Sequence, residues 1–388
     1  MSAPRPAGRE KADAMKSSSR QRVAVVGGGI FGVSTALHLV RGGAEAWLVT
    51  EGAFADGASG RSLSWLNSAR LRSAHYHQLR MIGIDRYRTL AAARPDAAWL
   101  RFNGGLTWDA DDKSNAIASV FVHERNIGYD ARFLEPERVA AVTPGVDTRA
   151  ITPQGAIFNP GEGWVDLPAL VGVLLEEFMA LGGRAAAGKG PAAVETRNGR
   201  ASGVALADGE RIAADAIVLA VGAAAPTTLA QFDARIPDST PISLLLRTEP
   251  LRHPLRAVLN TPRVAIRPEP GGGFVLDSGW SEEEVRIRDD GTYAVEDDTL
   301  RRLLAEASAV LEGNPRLTLA GYGVGPKPIP GDGDPVLGEL DKTPGLNVAF
   351  SHSGATLGLI AGELLADSIL AGRPHPLLLP FRPGRFNV

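Results

Sequence analysis

Cysteine is absent from the 388-residue chain. That excludes disulfides, Cys-ligated zinc or iron–sulfur clusters, a thiol nucleophile and a C-x-x-C redox pair. It also excludes any cofactor linked to the protein through a thioether. An excess of either charge is missing too: 41 Lys+Arg stand against 44 Asp+Glu, a net charge of −3 with a pI near 6.2. No electrostatic footprint for nucleic acid or an anionic membrane follows. No apolar run approaches the roughly 20 residues that a membrane span needs. Residues 1–20, MSAPRPAGREKADAMKSSSR, lack the apolar stretch of a secretory signal. They read as a disordered tail, and the chain as cytoplasmic. H-E-x-x-H and G-x-S-x-G are absent, which removes support for metal and serine hydrolases. His75 and His77, if helical, point about 200° apart and cannot share a metal, leaving one of them to approach a site from the loop side.

Glycine, by contrast, is plentiful and clustered. Residues 23–40 read VAVVGGGIFGVSTALHLV. A β-branched run meets three glycines and then apolar residues at helical spacing (Ile30, Val33, Leu37, Val40), which spells strand, tight turn, helix. Gly27, Gly29 and Gly32 stand in G-x-G-x-x-G register, bringing backbone N–H groups to a pyrophosphate at a helix N-terminus. Ile30 and Phe31 fill the turn between them. Glu51 closes the second strand, AEAWLVT, 19 residues after Gly32, the distance at which an acid meets a ribose hydroxyl. NAD, NADP and FAD all satisfy this geometry.

Further along, residues 76–90 read as a helix, preceded by a loop at 57–62. Residues 95–150 mix short strands with Pro and Gly. WVDLPALVGVLLEEFMAL at 164–181 reads as an amphipathic helix with Asp166 as N-cap and Pro168 in its first turn. Residues 192–221 alternate around Asn198-Gly199 and Asp208-Gly209, two hairpin signals, and end in DAIVLAVG, a buried strand reaching Gly222. Such a β-meander is foreign to a simple nicotinamide dehydrogenase. Strands dominate 240–330, with a hairpin at 271–273 and one helix from Asp298 to Leu311. GLNVAFSHSGATLGLIAGELLADSIL then repeats strand, turn, helix.

From residue 21 onward the chain resembles the D-amino-acid oxidase, glycine oxidase and sarcosine oxidase family of flavoenzymes. The resemblance rests on VVGGGIFG with Glu51, on GASGRS, DAIVLAVGA and PKPIPGDGDPVLG, and on GLNVAFSHSGATLG. It implies an α/β fold: a discontinuous Rossmann-like FAD-binding domain (21–90, 150–238 and 331–388) and a substrate domain on a large, mostly antiparallel sheet (91–149 and 239–330). It also implies oxidation of a C–N bond. On this reading Gly27–Gly32 cradle the FAD pyrophosphate and Glu51 accepts from the adenosine ribose. Ser59, Gly60, Arg61 and Ser62 run beside the pyrophosphate and ring, with Arg61 facing the flavin or else solvated in its loop. The turn Ser353, Gly354, Ala355 and Thr356 aims N–H groups and a helix dipole at the flavin pyrimidine edge. His352 either lines the ring or caps that turn.

One departure from the family stands out. Glycine oxidases carry an arginine for the substrate carboxylate before D-G-x-P-x-x-G; the matching residue here is Lys327, a point charge rather than a planar fork. It either holds a larger or differently placed acid or promotes the reaction of reduced flavin with oxygen. Arg263 and Arg267 in RVAIRP share a strand face and are further candidates for substrate binding, unless they are sheet-surface charge.

The expected activity is an FAD-dependent oxidase of an amino acid or secondary amine, foremost an N-substituted glycine. The imine product hydrolyses and O2 becomes H2O2. The alternatives are a dehydrogenase with another acceptor, an NADPH-dependent monooxygenase and a non-catalytic flavoprotein subunit. FAD is expected to be non-covalent, since cysteine is absent and no histidine lies in GASGRSLSWLN. The expected partners are the small-molecule amine and O2, with neither nucleic acid nor membrane; a homo-oligomer is compatible with all of this.

Overall fold

The computed structural model describes residues 20–386, so all but the last residue of the expected N-terminal tail lies outside the described residues. Two large sheets organise the chain. The first has six strands, in the order Val336–Glu339, Leu346–Phe350, Ala216–Leu219, Arg22–Val26, Glu45–Val49, Arg184–Ala186. Only the edge strand Val336–Glu339 is antiparallel; the others run parallel. Their sequences are near-continuous apolar runs because both faces are covered, as parallel sheets require. The helix Ile30–Arg41, the helix Leu167–Ala180 and the terminal helix Gly354–Ala371 share one core with this sheet, through Val25, Val33, Leu37, Leu170, Phe178 and Leu359.

The second sheet has eight strands, in the order Leu319–Pro326, Ile242–Thr248, Phe274–Asp277, Ala265–Pro268, Val258–Asn260, Gly105–Thr107, Ala156–Asn159, Arg132–Leu134. All neighbours are antiparallel except Val258–Asn260 with Gly105–Thr107. The expected mixture of a Rossmann-like sheet and a large, mostly antiparallel one is therefore present. Ala156–Asn159, from a stretch expected with the nucleotide-binding part, pairs within this second sheet. Strand alternation divides its faces. Leu244, Leu246, Ile266 and Leu276 pack on Leu300, Leu303 and Ala307 of the helix Asp297–Val310. Leu245, Arg247, Arg267 and Asp277 belong to the opposite face, as their register shows.

Local signals behaved largely as their chemistry dictates. Asp166 caps its helix by accepting from the Ala169 N–H, while Trp164 and Val165 before it form a strand instead. Asn198 and Gly199 both take positive φ (53° and 74°) in the hairpin joining Ala193–Arg197 to Arg200–Ala205. The helix expected over 76–90 spans Ala74–Ala93 because Ser73 caps it through the Tyr76 N–H. The terminal helix is 18 residues long and apolar enough to span a membrane, but most of it is buried inside the protein. It lies against Ile30–Arg41 so closely that a Cβ on Gly358 would strike Ile30 and one on Gly362 would strike Ser34. It reads as a core helix whose apolar length serves packing.

Candidate active site

Two helix N-termini lie side by side, Phe31 of one against Gly354 of the other. The first opens at Ile30. Gly27 has φ +121°, and an added Cβ would collide with Ala220 O; a Cβ on Gly32 would collide with Gly27 O. The turn is thus too tight for any residue but glycine at either place, which is what close backbone approach to a pyrophosphate requires. Val33 N–H makes the first helical bond, to Gly29 O, so the Phe31 and Gly32 N–H groups have no acceptor inside the helix. Ile30 N–H is bound by Ser59 Oγ at 3.1 Å. Two expected cofactor contacts therefore meet each other, and the loop carrying Ser59 and Gly60 is fastened onto the glycine turn. Glu51 lies exposed just past the carboxyl end of its strand, and Gly222, with φ +57°, opens the turn beyond Ala216–Leu219. These residues fit the phosphates and ribose of a dinucleotide.

The second N-terminus is the Ser353 turn. Ser353 adopts a left-handed conformation (φ 56°, ψ 30°), rare for a residue with a Cβ, and the first helical bond runs from Leu357 N–H to Ser353 O. Gly354, Ala355 and Thr356 N–H groups are therefore outside the helical ladder. Phe31 packs beside Gly354. Thr356 Oγ1 donates to Trp65 O and accepts from Asn67 N–H, so the segment 65–67 is stitched to this turn.

Three expected side chains take definite places. Arg61 reaches across to the second sheet, where its side chain lies over Gly323 and Gly325 and its guanidinium donates to Asp56 O; its Nε is buried without a partner. It is not a freely solvated loop residue. Ser62 Oγ accepts from Ser64 N–H, 3.0 Å away, within its own loop. His352 shows an exposed ring beside the Ser353 turn, with Nδ1 at 3.2 Å from Ser353 Oγ. Partial desolvation, then the charges of Lys327, Arg80 and Arg72, lower its pKa. It is a neutral imidazole at physiological pH.

The substrate-side cations differ from expectation. Lys327 Nζ is 2.5 Å from Glu282 Oε1, and Ser243 Oγ donates to the same oxygen at 2.6 Å. Its charge is already partnered. Asp277 adds a second carboxyl there: desolvation raises its pKa to about 6, with Lys327 pulling it down and Glu282 pushing it up. Arg263 and Arg267 do not share a face. Arg263 precedes its strand, pairs with Glu306 and stacks on Trp280. A turn held by Thr261, rather than extended strand, joins it to Val264. Arg267 is 1% exposed, stacks 5.3 Å from the Trp164 ring centroid and leaves Nε without an acceptor. Burial lowers its pKa to about 10, Arg247 adding to the effect and Asp166 opposing it.

Several site residues escaped the sequence reading. Arg80 is 1% exposed and donates to Asn67 O (2.8 Å), Asn67 Oδ1 (2.9 Å), Tyr76 Oη (3.2 Å) and Ser353 Oγ (2.6 Å). A signal existed: Tyr76, Arg80, Gly83 and Tyr87 recur at helical spacing, which puts Arg80 in a buried stripe. Glu162 is fully buried, accepts from Trp65 Nε1 at 2.7 Å and lies 2.5 Å from Tyr129 Oη. Desolvation raises its pKa to about 8. His77 is buried against Ser68 Oγ (2.8 Å) and the Tyr129 ring, while His75 is exposed; no metal-binding cluster occurs among the described residues.

A glycine turn shaped for a dinucleotide, a second helix N-terminus beside it and a facing antiparallel sheet together define a flavin-dependent oxidoreductase. The chain belongs to the FAD dependent oxidoreductase (DAO) family, whose model matches residues 22–368. Its fold is similar to that of glycine oxidase from Geobacillus kaustophilus, at 20% identity and TM-score 0.79 over 94% of this chain and 99% of that one. It is also similar to L-amino acid deaminase from Proteus myxofaciens in complex with anthranilate (18%, 0.80, 95% and 94%). Iminodiacetate oxidase from Chelativorans sp. BNC1 is a third similar structure (21%, 0.76, 93% and 99%). No curated protein matches the sequence.

Proposed function

We propose that the protein oxidises the C–N bond of a secondary amine or amino acid, foremost an N-substituted glycine. The carrying observation is a guanidinium on the second sheet, Arg267, that forms no ion pair among the described residues. Arg267 is buried with an unsatisfied Nε, and Lys327 sits within reach of His352's electrostatic environment. A carboxylate is the natural ligand of such a guanidinium. The fold is shared with glycine oxidase and iminodiacetate oxidase, and iminodiacetate is itself an N-carboxymethyl glycine.

FAD, when bound, would supply the acceptor for the hydride of the C–H next to nitrogen and the electrons that reduce O2. The chain's part is to hold that C–H in line and supply a positive environment. Gly27, Gly29, Phe31 and Gly32 hold the pyrophosphate, with Ile30 fastened to Ser59, Glu51 holds the ribose, and the loop Ser59–Ser62 with Gly222 flanks them. The turn Ser353–Thr356 meets the flavin pyrimidine edge. Arg267 and Lys327 orient the substrate carboxylate, and neutral His352 lines the ring. FAD is held without a covalent link, and the chain divides into an FAD-binding and a substrate domain, with Ala156–Asn159 in the latter.

The test is aerobic turnover of N-carboxymethyl amines by the purified holoenzyme. The reading expects H2O2, glyoxylate and the free amine in equal amounts. Product without peroxide, with an added dye reduced instead, would make the protein a dehydrogenase. No turnover of any amine or amino acid with either acceptor would overturn the reading.

A further inference from the structure

Arg80 is a buried cation without a counter-ion. Its four hydrogen bonds all end on neutral oxygens, and among the described residues it forms no ion pair. The Tyr76 ring lies under it at 5.1 Å. The carboxyl that feels its charge, Glu162, is kept protonated at neutral pH by burial and so offers no compensation. Burying a guanidinium this way costs several kcal/mol unless some other charge is stabilised in return.

The structure shows where that charge acts. Arg80 Nη1 donates to Ser353 Oγ, the side chain of the left-handed residue that opens the terminal helix. Arg80 also raises the potential around the adjacent His352. Helix dipole and guanidinium thus converge on the same turn with the same sign. Arg72, 5.9 Å from the Tyr76 ring centroid, adds a second cation.

We infer that Arg80 is a positioning residue that fixes the Ser353 turn and supplies the uncompensated positive charge that makes bound FAD easier to reduce. The inference rests on the proposed seating of the flavin pyrimidine edge at that turn, but on no particular substrate.

The experiment is the midpoint potential of FAD in purified holoenzymes: wild type, Arg80→Gln and Arg80→Lys. Arg80→Gln is expected to lower the equilibrium constant for two-electron reduction at least tenfold, about 30 mV towards more negative potential. Arg80→Lys keeps the charge and is expected to stay within threefold of wild type. A wild-type potential in FAD-loaded Arg80→Gln would overturn the inference. So would a tenfold drop in Arg80→Lys, or loss of FAD by both Arg80 variants, since lysine preserves the charge. These readouts need no amine, so failure of the substrate reading is seen separately, as absent turnover with the potentials still ordered.

Discussion

Glu282 Oε1 takes a hydrogen bond from Lys327 Nζ at 2.5 Å and another from Ser243 Oγ at 2.6 Å, so the lysine proposed to bind the substrate carboxylate already has a carboxylate. Any acidic substrate must compete with Glu282 for that charge. Glu282→Gln is therefore expected to lower KM for an N-carboxymethyl amine several-fold. Lys327→Met is expected to raise it roughly tenfold to a hundredfold, the range of one charged hydrogen bond of about 1.5–3 kcal/mol. Steady-state kinetics on both variants checks this; equal KM values in both would remove Lys327 from substrate binding.

Asp277 gives that region a pH dependence. Its pKa of about 6 means that it gains a negative charge beside Lys327 as pH rises through 6. Binding of a carboxylate substrate should weaken over that interval. A KM–pH profile is expected to climb between about pH 5 and 7 and to flatten in Asp277→Asn. A profile identical in the variant would mean that another group titrates.

Two glycine substitutions separate the nucleotide cradle from ordinary helix. A Cβ on Gly32 would strike Gly27 O, whereas one on Gly172, inside Leu167–Ala180, would meet nothing within 4 Å. Gly32→Ala is expected to yield protein without FAD after gel filtration. Gly172→Ala is expected to keep FAD and gain about 0.5–1 kcal/mol from helix propensity. Flavin absorbance and thermal melts read the two results.

Glu162 couples stability to pH. Its folded pKa is raised to about 8, so the folded protein keeps a proton that the unfolded chain releases near the ordinary glutamate value. Its contribution is full below that ordinary value and is lost as pH rises towards 8, by at most about 1.4 kcal/mol per pH unit. Glu162→Gln keeps the bonds to Trp65 and Tyr129 without the titration. Its Tm advantage over wild type is expected to be larger at pH 8.5 than at pH 5.5. An equal difference at both pH values would show that Glu162 is not the titrating group.

The nucleotide cradle was legible in the sequence because it is local. Gly27, Gly29, Gly32 and the strand and helix around them lie within a few residues of one another, and steric demands alone choose glycine there. The Ser353 turn was legible for the same reason. The charge partners were not. Glu282 lies 45 residues before Lys327, and only the pairing of Ile242–Thr248 with Leu319–Pro326 and Phe274–Asp277 fixes which side chains share that face. Arg263 and Arg267 looked equivalent by spacing until a turn at Thr261 separated them. Arg80 and Glu162 carry the residue types of a solvated surface, and their burial is set by contacts with segments far along the chain.

Whether an amine reduces FAD bound to this chain is decided without oxygen. Purified holoenzyme is mixed without oxygen with glycine, sarcosine, larger N-carboxymethyl amino acids and D-amino acids while the oxidised flavin band is followed. Bleaching by at least one of them is expected, fastest with an N-substituted glycine. A band unchanged by every amine but bleached by NADPH would contradict it and make the protein a monooxygenase.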